Sequence, residues 1–134
     1  MPREVFEQIG GFDKNIFMYV DEVELLYRVR AGGYGVYFLP EVKAVHLLGG
    51  GGEVKNAGWK IRLFTANLQY LARKHYSRPR QALTAVVLGI LVLSRVILWG
   101  IIWHGLRRHT PNAQEHLAGW RASMHLLGQR HTAA

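Results

Sequence analysis

The apolar residues of the first third of the chain recur at the three- and four-residue spacing of amphipathic helices. A short helix is predicted over residues 3–9, where Gly10-Gly11 ends it. A second helix is predicted to start at Asp21, with an acidic first turn, and to end at Gly32-Gly33. Its buried face is predicted to comprise Val23, Leu25, Leu26 and Val29.

The pattern then changes to one that is typical of β-strands. Residues 34–39 are aromatic and β-branched, and Pro40 closes the run. Residues 42–47 alternate in part and carry His46 near their end. Four consecutive glycines, 49–52, follow and predict a loop, with a phosphate-wrapping turn as the alternative.

The second half of the chain is predicted to be helical again. Residues 56–76 form a helix rich in apolar and basic residues, and residues 77–80 break it. Residues 82–103 are then strongly apolar. After a break at residues 110–112, a last amphipathic helix is predicted, either on the membrane surface or packed on a partner. Its apolar positions at helical spacing are Leu117, Trp120, Met124 and Leu127.

The apolar segment 82–103 is long enough to cross a membrane, because 22 helical residues rise about 33 Å. Arg95 opposes insertion by about 2.5–3.5 kcal/mol, and each strongly apolar residue favours it by about 0.3–0.6 kcal/mol. Insertion is therefore expected to win, with Trp99 and Trp103 at a headgroup boundary. A helix that lies in the membrane surface is the alternative, with Arg95 at the interface.

The distribution of charge also divides the chain into two halves. Residues 1–53 hold five basic and eight acidic residues, whereas residues 54–134 hold twelve basic residues and one acid, Glu115. A basic half of this kind suits an anionic partner, and the apolar segment favours a membrane over nucleic acid. The chain has no cysteine, which excludes disulfides and cysteine-based zinc sites.

The block from residue 9 to residue 46 carries the most specific motif. It reads Ile-Gly-Gly-Phe-Asp, then Phe-Met-Tyr-Val-Asp-Glu-Val-Glu-Leu, followed by Arg28, Gly33-Tyr34, Leu39-Pro40 and His46. In order and spacing this resembles the acceptor-side half of the family 2 glycosyltransferases, particularly the rhamnosyltransferase-like members. The resemblance covers roughly residues 3–50. Asp-Glu stands where the family usually has Glu-Asp, and Glu24 replaces a following Asp.

The resemblance implies an inverting transfer in which a carboxylate is the general base. By position Glu22 matches that base, and Asp21 precedes it. Three carboxylates within four positions repel one another, which favours proton uptake by one of them. The alternative is that these acids only charge the positive end of a helix.

Further residues of the motif are implied to form the acceptor or diphosphate site; they are Gly11, Asp13, Glu24, Arg28 and His46. Asp13 is also expected to turn the chain, and Arg28 to pair with Glu24 at i,i+4. His46 is the one candidate for a place near the metal, with a locally hydrogen-bonded histidine as the alternative. A divalent cation, Mg²⁺ or Mn²⁺, is implied for the complete enzyme, with its main ligands outside this chain.

The predicted fold class is therefore α/β: the C-terminal half of a GT-A-type, Rossmann-like glycosyltransferase domain. Residues 1–53 would be that partial catalytic domain, residues 54–80 a basic connecting helix, residues 81–108 the membrane segment and residues 109–134 an amphipathic tail. The expected protein is a membrane-associated fragment whose catalytic part faces the cytoplasm and which is inactive alone.

The expected activity of the complete enzyme moves a sugar, with rhamnose as the leading candidate. The donor would be a nucleotide sugar, and the acceptor a cell-surface glycan or a lipid-linked glycan. A non-catalytic, membrane-bound interaction module that keeps the acceptor-side scaffold is the alternative. Nucleic acid is not an expected partner.

Overall fold

The computed structural model describes residues 1–45, 57–106 and 111–128. It divides into two compact units, Met1–Lys55 and Asn56–Ala134. The first unit contains helix α1 (Arg3–Gln8) and helix α2 (Asp21–Ala31). Both helices lie where the apolar spacing predicts them.

Glycines end both helices of the first unit in the same way. Gly10 and Gly33 have left-handed backbone conformations, with φ of 82° and 87°. After α1, the N–H groups of Gly10 and Gly11 donate back to the carbonyls of Glu7 (3.0 Å) and Phe6 (2.9 Å). The N–H groups of Gly33 and Tyr34 do the same after α2. Each end is a Schellman motif, which satisfies the last carbonyls of the helix.

The predicted α/β fold class is wrong for the described residues, all of whose regular structure is helical. Residues 34–39, predicted as a strand, are irregular and exposed, with Tyr37 and Phe38 at 85% and 88% exposure. The same holds for residues 42–45 of the second predicted strand. A strand needs a neighbour to satisfy its N–H and C=O groups, and the described ranges supply none. These two segments have the composition of strands, but the described residues form no sheet that they could join.

Within residues 57–106 and 111–128, the second unit contains three long helices, as the apolar pattern predicts. They are α3 (Ala57–His75), α4 (Arg78–Ile101) and α5 (Pro111–Gly128). A single π-helical turn, Ile102–Leu106, continues α4. Pro79 is tolerated in the first turn of α4 because its missing N–H has no helical partner there. The helix therefore starts earlier than the predicted apolar segment.

Helices α3 and α5 run in the same direction, and α4 runs against them. The N-terminal ends of α3 and α5 meet where the Glu115 carboxylate accepts the Ala57 N–H (3.4 Å). Near the end of α4, the Trp99 ring stacks on the His116 ring of α5 with centroids 4.3 Å apart. All three helices therefore lie side by side, at the same level along the axis of the bundle.

Small residues allow α3 and α5 to approach closely. A Cβ atom on Gly119 would lie 2.4 Å from the Cα atom of Gly58, so the two glycines form the crossing point. Ala113 and Ser123 are also fully buried on α5. The predicted apolar positions of α5 differ in burial, because Leu117 is buried but Met124 is 43% exposed. Close backbone packing depends here on small side chains more than on large ones.

Helix α4 has two different sides. Leu88 and Val92 are buried against the other helices. The opposite side, here called the α4 apolar face, consists of residues that are each more than half exposed: Leu83, Val86, Val87, Ile90, Leu93, Ile97 and Ile101. Arg95 is exposed, but it lies three residues after Val92 and four before Trp99, and so projects away from the α4 apolar face. The α4 apolar face therefore carries no charge.

Candidate functional site

A buried ion pair forms the centre of the first unit. Glu24 is fully buried on α2, and Arg28, one turn later, binds its carboxylate. Arg28 Nε donates to both Glu24 carboxylate oxygens at 2.9 Å, and Nη2 donates to Oε2 at 2.6 Å. The predicted i,i+4 pair is confirmed. Because Glu24 is removed from solvent, its charge depends on this guanidinium.

The same guanidinium fastens α2 to the turn after α1. Arg28 Nη2 donates to the Gly11 carbonyl oxygen at 2.6 Å, and Nη1 donates to the Ile9 carbonyl oxygen. The left-handed glycines turn the chain so that these carbonyls face Arg28. Gly11 is therefore a backbone ligand of Arg28. Sequence reasoning missed this link, because it joins residues 17 and 19 positions apart in the chain.

The Asp13 side chain shapes the turn that follows. Its Oδ1 accepts the backbone N–H of Asn15 and the Asn15 side-chain amide, both at 2.9 Å. The Ile16 N–H also donates to the Asp13 carbonyl oxygen at 3.0 Å. This is an Asx turn, which confirms the prediction that Asp13 turns the chain. A contact between Asp13 and an acceptor stays a prediction.

The two residues before α2 have an unusual backbone. Tyr19 and Val20 have φ of 63° and 68°, a left-handed conformation that side-chain-bearing residues rarely adopt. Val20 is β-branched and buried, so the surrounding packing must hold it there. Sequence reasoning missed this feature, because nothing in the residue types signals it. Strained backbone of this kind is concentrated at functional sites.

That strained turn leads directly into the remaining two acids. Asp21 is half-buried and Glu22 is exposed, both in the first turn of α2. Glu24, two residues later, lies on the buried side with Arg28. The three predicted acids are therefore separated by role: one is enclosed in an ion pair, and two stand where a ligand can reach them.

A metal site is not evident in the described ranges 1–45, 57–106 and 111–128, which bring together no group of three His, Asp or Glu side chains. His46 lies outside the described residues, as do the four glycines 49–52. The divalent cation implied by the resemblance therefore finds no three-ligand set here, and its involvement stays a prediction.

Comparison of the chain with protein-family models, with curated proteins and with solved structures gives no match. Any function for this chain must therefore be argued from its own residues and their geometry.

Among the described residues, the second unit contains one helix with the length and composition of a membrane span. The span from Arg78 to His104 is long and apolar enough to cross a membrane, with a mean hydropathy of 2.5, and only 11% of its apolar window is buried. A core helix of a soluble protein would be mostly covered. The exposure of the α4 apolar face is consistent with membrane association.

Proposed function

We propose that this chain provides the acceptor-side carboxylate of a membrane-associated glycosyltransferase. The observation that carries the proposal is the separation of the acidic cluster. Arg28 encloses Glu24 in a buried ion pair, which leaves Asp21 and Glu22 accessible beside the strained Tyr19-Val20 turn. An arrangement that only charged a helix end would require neither the burial of one acid nor that strain.

In the proposed reaction, the Glu22 carboxylate accepts the proton of an acceptor hydroxyl. The hydroxyl oxygen then forms a bond to the anomeric carbon of a nucleotide sugar, with rhamnose as the leading candidate. The bond from that carbon to the nucleoside diphosphate breaks with inversion, and the diphosphate leaves with the electron pair. Asp21 is the second candidate base, since it lies in the same turn. The base must reach its proton at hydrogen-bond distance.

The test is transfer of a radiolabelled sugar into the lipid and glycan fractions of cell membranes. A strain that lacks the gene is complemented with the native gene, read in its own frame. The gene carries either the wild-type sequence or one of the substitutions Glu22→Gln, Asp21→Asn and Glu7→Gln. Loss of a general base costs about 10²- to 10⁴-fold in rate, and we expect this loss for Glu22→Gln with nucleotide binding intact. Glu7 is a matched control, because it is an exposed carboxylate on α1.

If Glu22→Gln has wild-type turnover and only Asp21→Asn loses activity, the base is Asp21 instead of Glu22. Wild-type turnover by both variants would refute catalysis by this cluster. The non-catalytic interaction module would then be the better description.

The second unit is proposed to lie in the membrane surface, with the α4 apolar face in the hydrocarbon and the polar sides of α3 and α5 toward water. If α4 crossed the bilayer, α3 and α5 would cross with it, because all three share one depth. Arg121, exposed near the middle of α5, would then join Arg95 inside the bilayer. Each arginine costs about 2.5–3.5 kcal/mol at that depth. A surface-lying helix bundle removes this cost.

The proposed side is the cytoplasmic one, where nucleotide sugars are found. The basic residues at the junction of α3 and α4 suit its anionic lipids; they are Arg73, Lys74, Arg78 and Arg80.

Because the chain contains no cysteine, single-cysteine variants allow spin labels to be placed at will. Labels at Leu83, Ile90 and Ile101 should report equal depths in vesicles, measured by accessibility to oxygen and to a nickel chelate. A label at Arg121 should be water-accessible. A crossing helix would instead place position 90 deepest, with the outer labels about 27 Å apart along the axis, and would bury position 121.

A further inference from the structure

The irregular chain that follows α2 carries an exposed apolar patch on the first unit. We call residues 34–45 the aromatic loop. Its apolar side chains that are each more than half exposed are Tyr37, Phe38, Leu39, Val42 and Val45. Single exposed apolar residues are ordinary on protein surfaces, but a contiguous group of them marks a binding surface.

The base of the aromatic loop is fixed to both helices of the first unit. The Tyr34 N–H donates to the Val29 carbonyl oxygen of α2 at 3.2 Å. The Tyr34 hydroxyl donates to the side-chain oxygen of Gln8, the last residue of α1, at 2.7 Å. The loop therefore leaves the helices at a defined point.

A turn closes the middle of the aromatic loop. The Val42 N–H donates to the Leu39 carbonyl oxygen at 3.3 Å, across Pro40 and Glu41. Proline suits the second position of such a turn, because its φ is already set. The turn holds the Cα atoms of Leu39 and Val42 within about 7 Å of each other. Exposed apolar side chains on its two sides are thereby brought together.

The charge of the aromatic loop favours an apolar partner over a charged one. Glu41 and Lys43 are the charged residues between positions 34 and 45, and their charges cancel. Residues 1–53 as a whole hold more acidic than basic residues. An anionic partner, such as nucleic acid, would therefore be repelled by the first unit.

A membrane surface is the apolar partner to which the rest of the chain points. The same polypeptide contains the span Arg78–His104, which is long and apolar enough to cross a membrane and is little buried. Aromatic side chains suit the boundary between headgroups and hydrocarbon, because a tyrosine ring is apolar while its hydroxyl stays hydrated.

The backbone limits how deeply the aromatic loop can enter a bilayer. Among the described residues, the N–H and C=O groups of residues 35–38 make no backbone hydrogen bond. Such groups do not enter the hydrocarbon core, because they would lose their bonds to water there. Entry therefore stops at the headgroup boundary, where water reaches the backbone and the side chains reach the hydrocarbon.

We propose that the aromatic loop is a second membrane contact of this protein, which inserts Tyr37 and Phe38 at the headgroup boundary. The first unit is then attached to the bilayer by its own residues, in addition to the α4 apolar face. The proposal rests on the proposed membrane attachment of the second unit and is independent of the proposed sugar transfer.

The test uses the full chain bound to vesicles of phosphatidylcholine and phosphatidylglycerol, with one spin label at a time. Labels at Leu39 and Val42 leave both aromatic side chains in place. We expect them to be shielded from the nickel chelate and accessible to oxygen, at a shallower depth than a label at Ile90 of α4. A label at Lys14, which is exposed in the other irregular segment of the first unit, is the matched control and should stay accessible to the chelate.

The label at Ile90 separates failure of the loop from failure of the membrane attachment of α4. If it is inserted while the labels at Leu39 and Val42 are as accessible to the chelate as the label at Lys14, the loop proposal is overturned alone. If the loop labels are inserted and the Ile90 label is not, the loop contact stands and the proposed position of α4 is wrong. A chain that does not bind the vesicles would overturn both.

Pairing of the aromatic loop with a second copy is a separate outcome. Labels at Leu39 would then be shielded from the chelate, but the labels of two copies would broaden each other's spectra. Loss of that broadening on dilution with unlabelled chain would show the pairing and overturn the membrane contact.

The double variant Tyr37→Ser and Phe38→Ser tests which side chains insert. Both rings are almost fully exposed, so the first unit should keep its fold, which circular dichroism verifies. The equilibrium of the Val42 label should shift at least about tenfold from the inserted to the water-exposed form, since two rings lose their transfer from water. Phe17→Ser changes an exposed phenylalanine outside the loop and should shift it by about twofold or less. Equal shifts in the two variants would overturn the proposal.

Lipid composition separates apolar insertion from attraction by charge. In the membrane-bound chain, the depth of the Val42 label should be the same in phosphatidylcholine alone and in its mixture with phosphatidylglycerol, because the loop has no net charge. Insertion that occurs only with phosphatidylglycerol would contradict the proposal.

Discussion

Each of the two units of this protein is stabilised internally in a different way. The first unit places a charged pair, Glu24 and Arg28, at its centre, with few buried apolar side chains around it. The second unit brings backbones together at Gly58 and Gly119 and directs an apolar face outward. A charged centre fixes where a few residues stand, which suits chemistry. An outward apolar face suits attachment to a membrane.

The chain offers separate optical probes for this comparison. All four tryptophans lie in the second unit, at positions 59, 99, 103 and 120. Four of the six tyrosines lie in the first unit, at positions 19, 27, 34 and 37. Tryptophan fluorescence therefore follows the second unit alone, and amide hydrogen exchange can follow either one.

The largest expected effect is the loss of the buried charge in Glu24→Gln. Removing one partner of a buried ion pair costs about 3–5 kcal/mol, because the other charge loses its compensation. Hydrogen exchange should accelerate over residues 3–31 while tryptophan fluorescence stays unchanged. The control is Glu7→Gln, which breaks the exposed Arg3–Glu7 pair (84% and 60% side-chain exposure) and should cost about 0.5 kcal/mol or less. Equal effects of the two variants would contradict a structural role for burial.

Next in size is Gly119→Leu, which should separate α3 from α5. A side chain at this position meets the Gly58 backbone, and overpacking of this kind costs about 2–3 kcal/mol. Denaturation followed by tryptophan fluorescence should show the loss, with exchange in the first unit unchanged. Gly100→Leu is the control, since a Cβ atom there meets nothing within 4 Å apart from the nearby backbone of its own helix. If Gly119→Leu retains wild-type stability, the close crossing is incorrect.

The smallest expected effects have opposite signs in the two units. Gly33→Ala places a Cβ on a residue with φ of 87°, and should destabilise the first unit by about 1–2 kcal/mol. Gly89→Ala lies inside α4, where the added methyl meets open space, and should stabilise the second unit by about 0.5–1 kcal/mol. Both are measured as changes in exchange or denaturation midpoint. Effects of the same sign would mean that backbone conformation does not decide them.

Local patterns predicted the helices well, since each is specified by its own apolar spacing and end signals. Gly10-Gly11 and Gly32-Gly33 end α1 and α2 where expected. The strand predictions failed because strand formation depends on a neighbour that residues 34–45 do not find in the described chain. Aromatic composition alone does not supply that neighbour.

In the candidate site too, only the features that depend on neighbouring positions in the sequence were predictable. The Glu24–Arg28 pair follows from i,i+4 spacing, and the Asp13 turn from its side-chain chemistry. The bonds from Arg28 to the Ile9 and Gly11 carbonyls join residues 17 and 19 positions apart. The left-handed Val20 likewise depends on packing around it. These features are tertiary, so no local pattern could reveal them.

The irregular segment 34–39 has a consequence for the life of the polypeptide after synthesis. Its residues, Tyr-Gly-Val-Tyr-Phe-Leu, are uncharged and exposed, a composition that favours pairing between copies. Chaperones bind such segments, and proteases cleave them, before the compact parts of a chain are reached. The lifetime of this protein in a cell should therefore depend on how soon the segment is covered, more than on the stability of either helical unit.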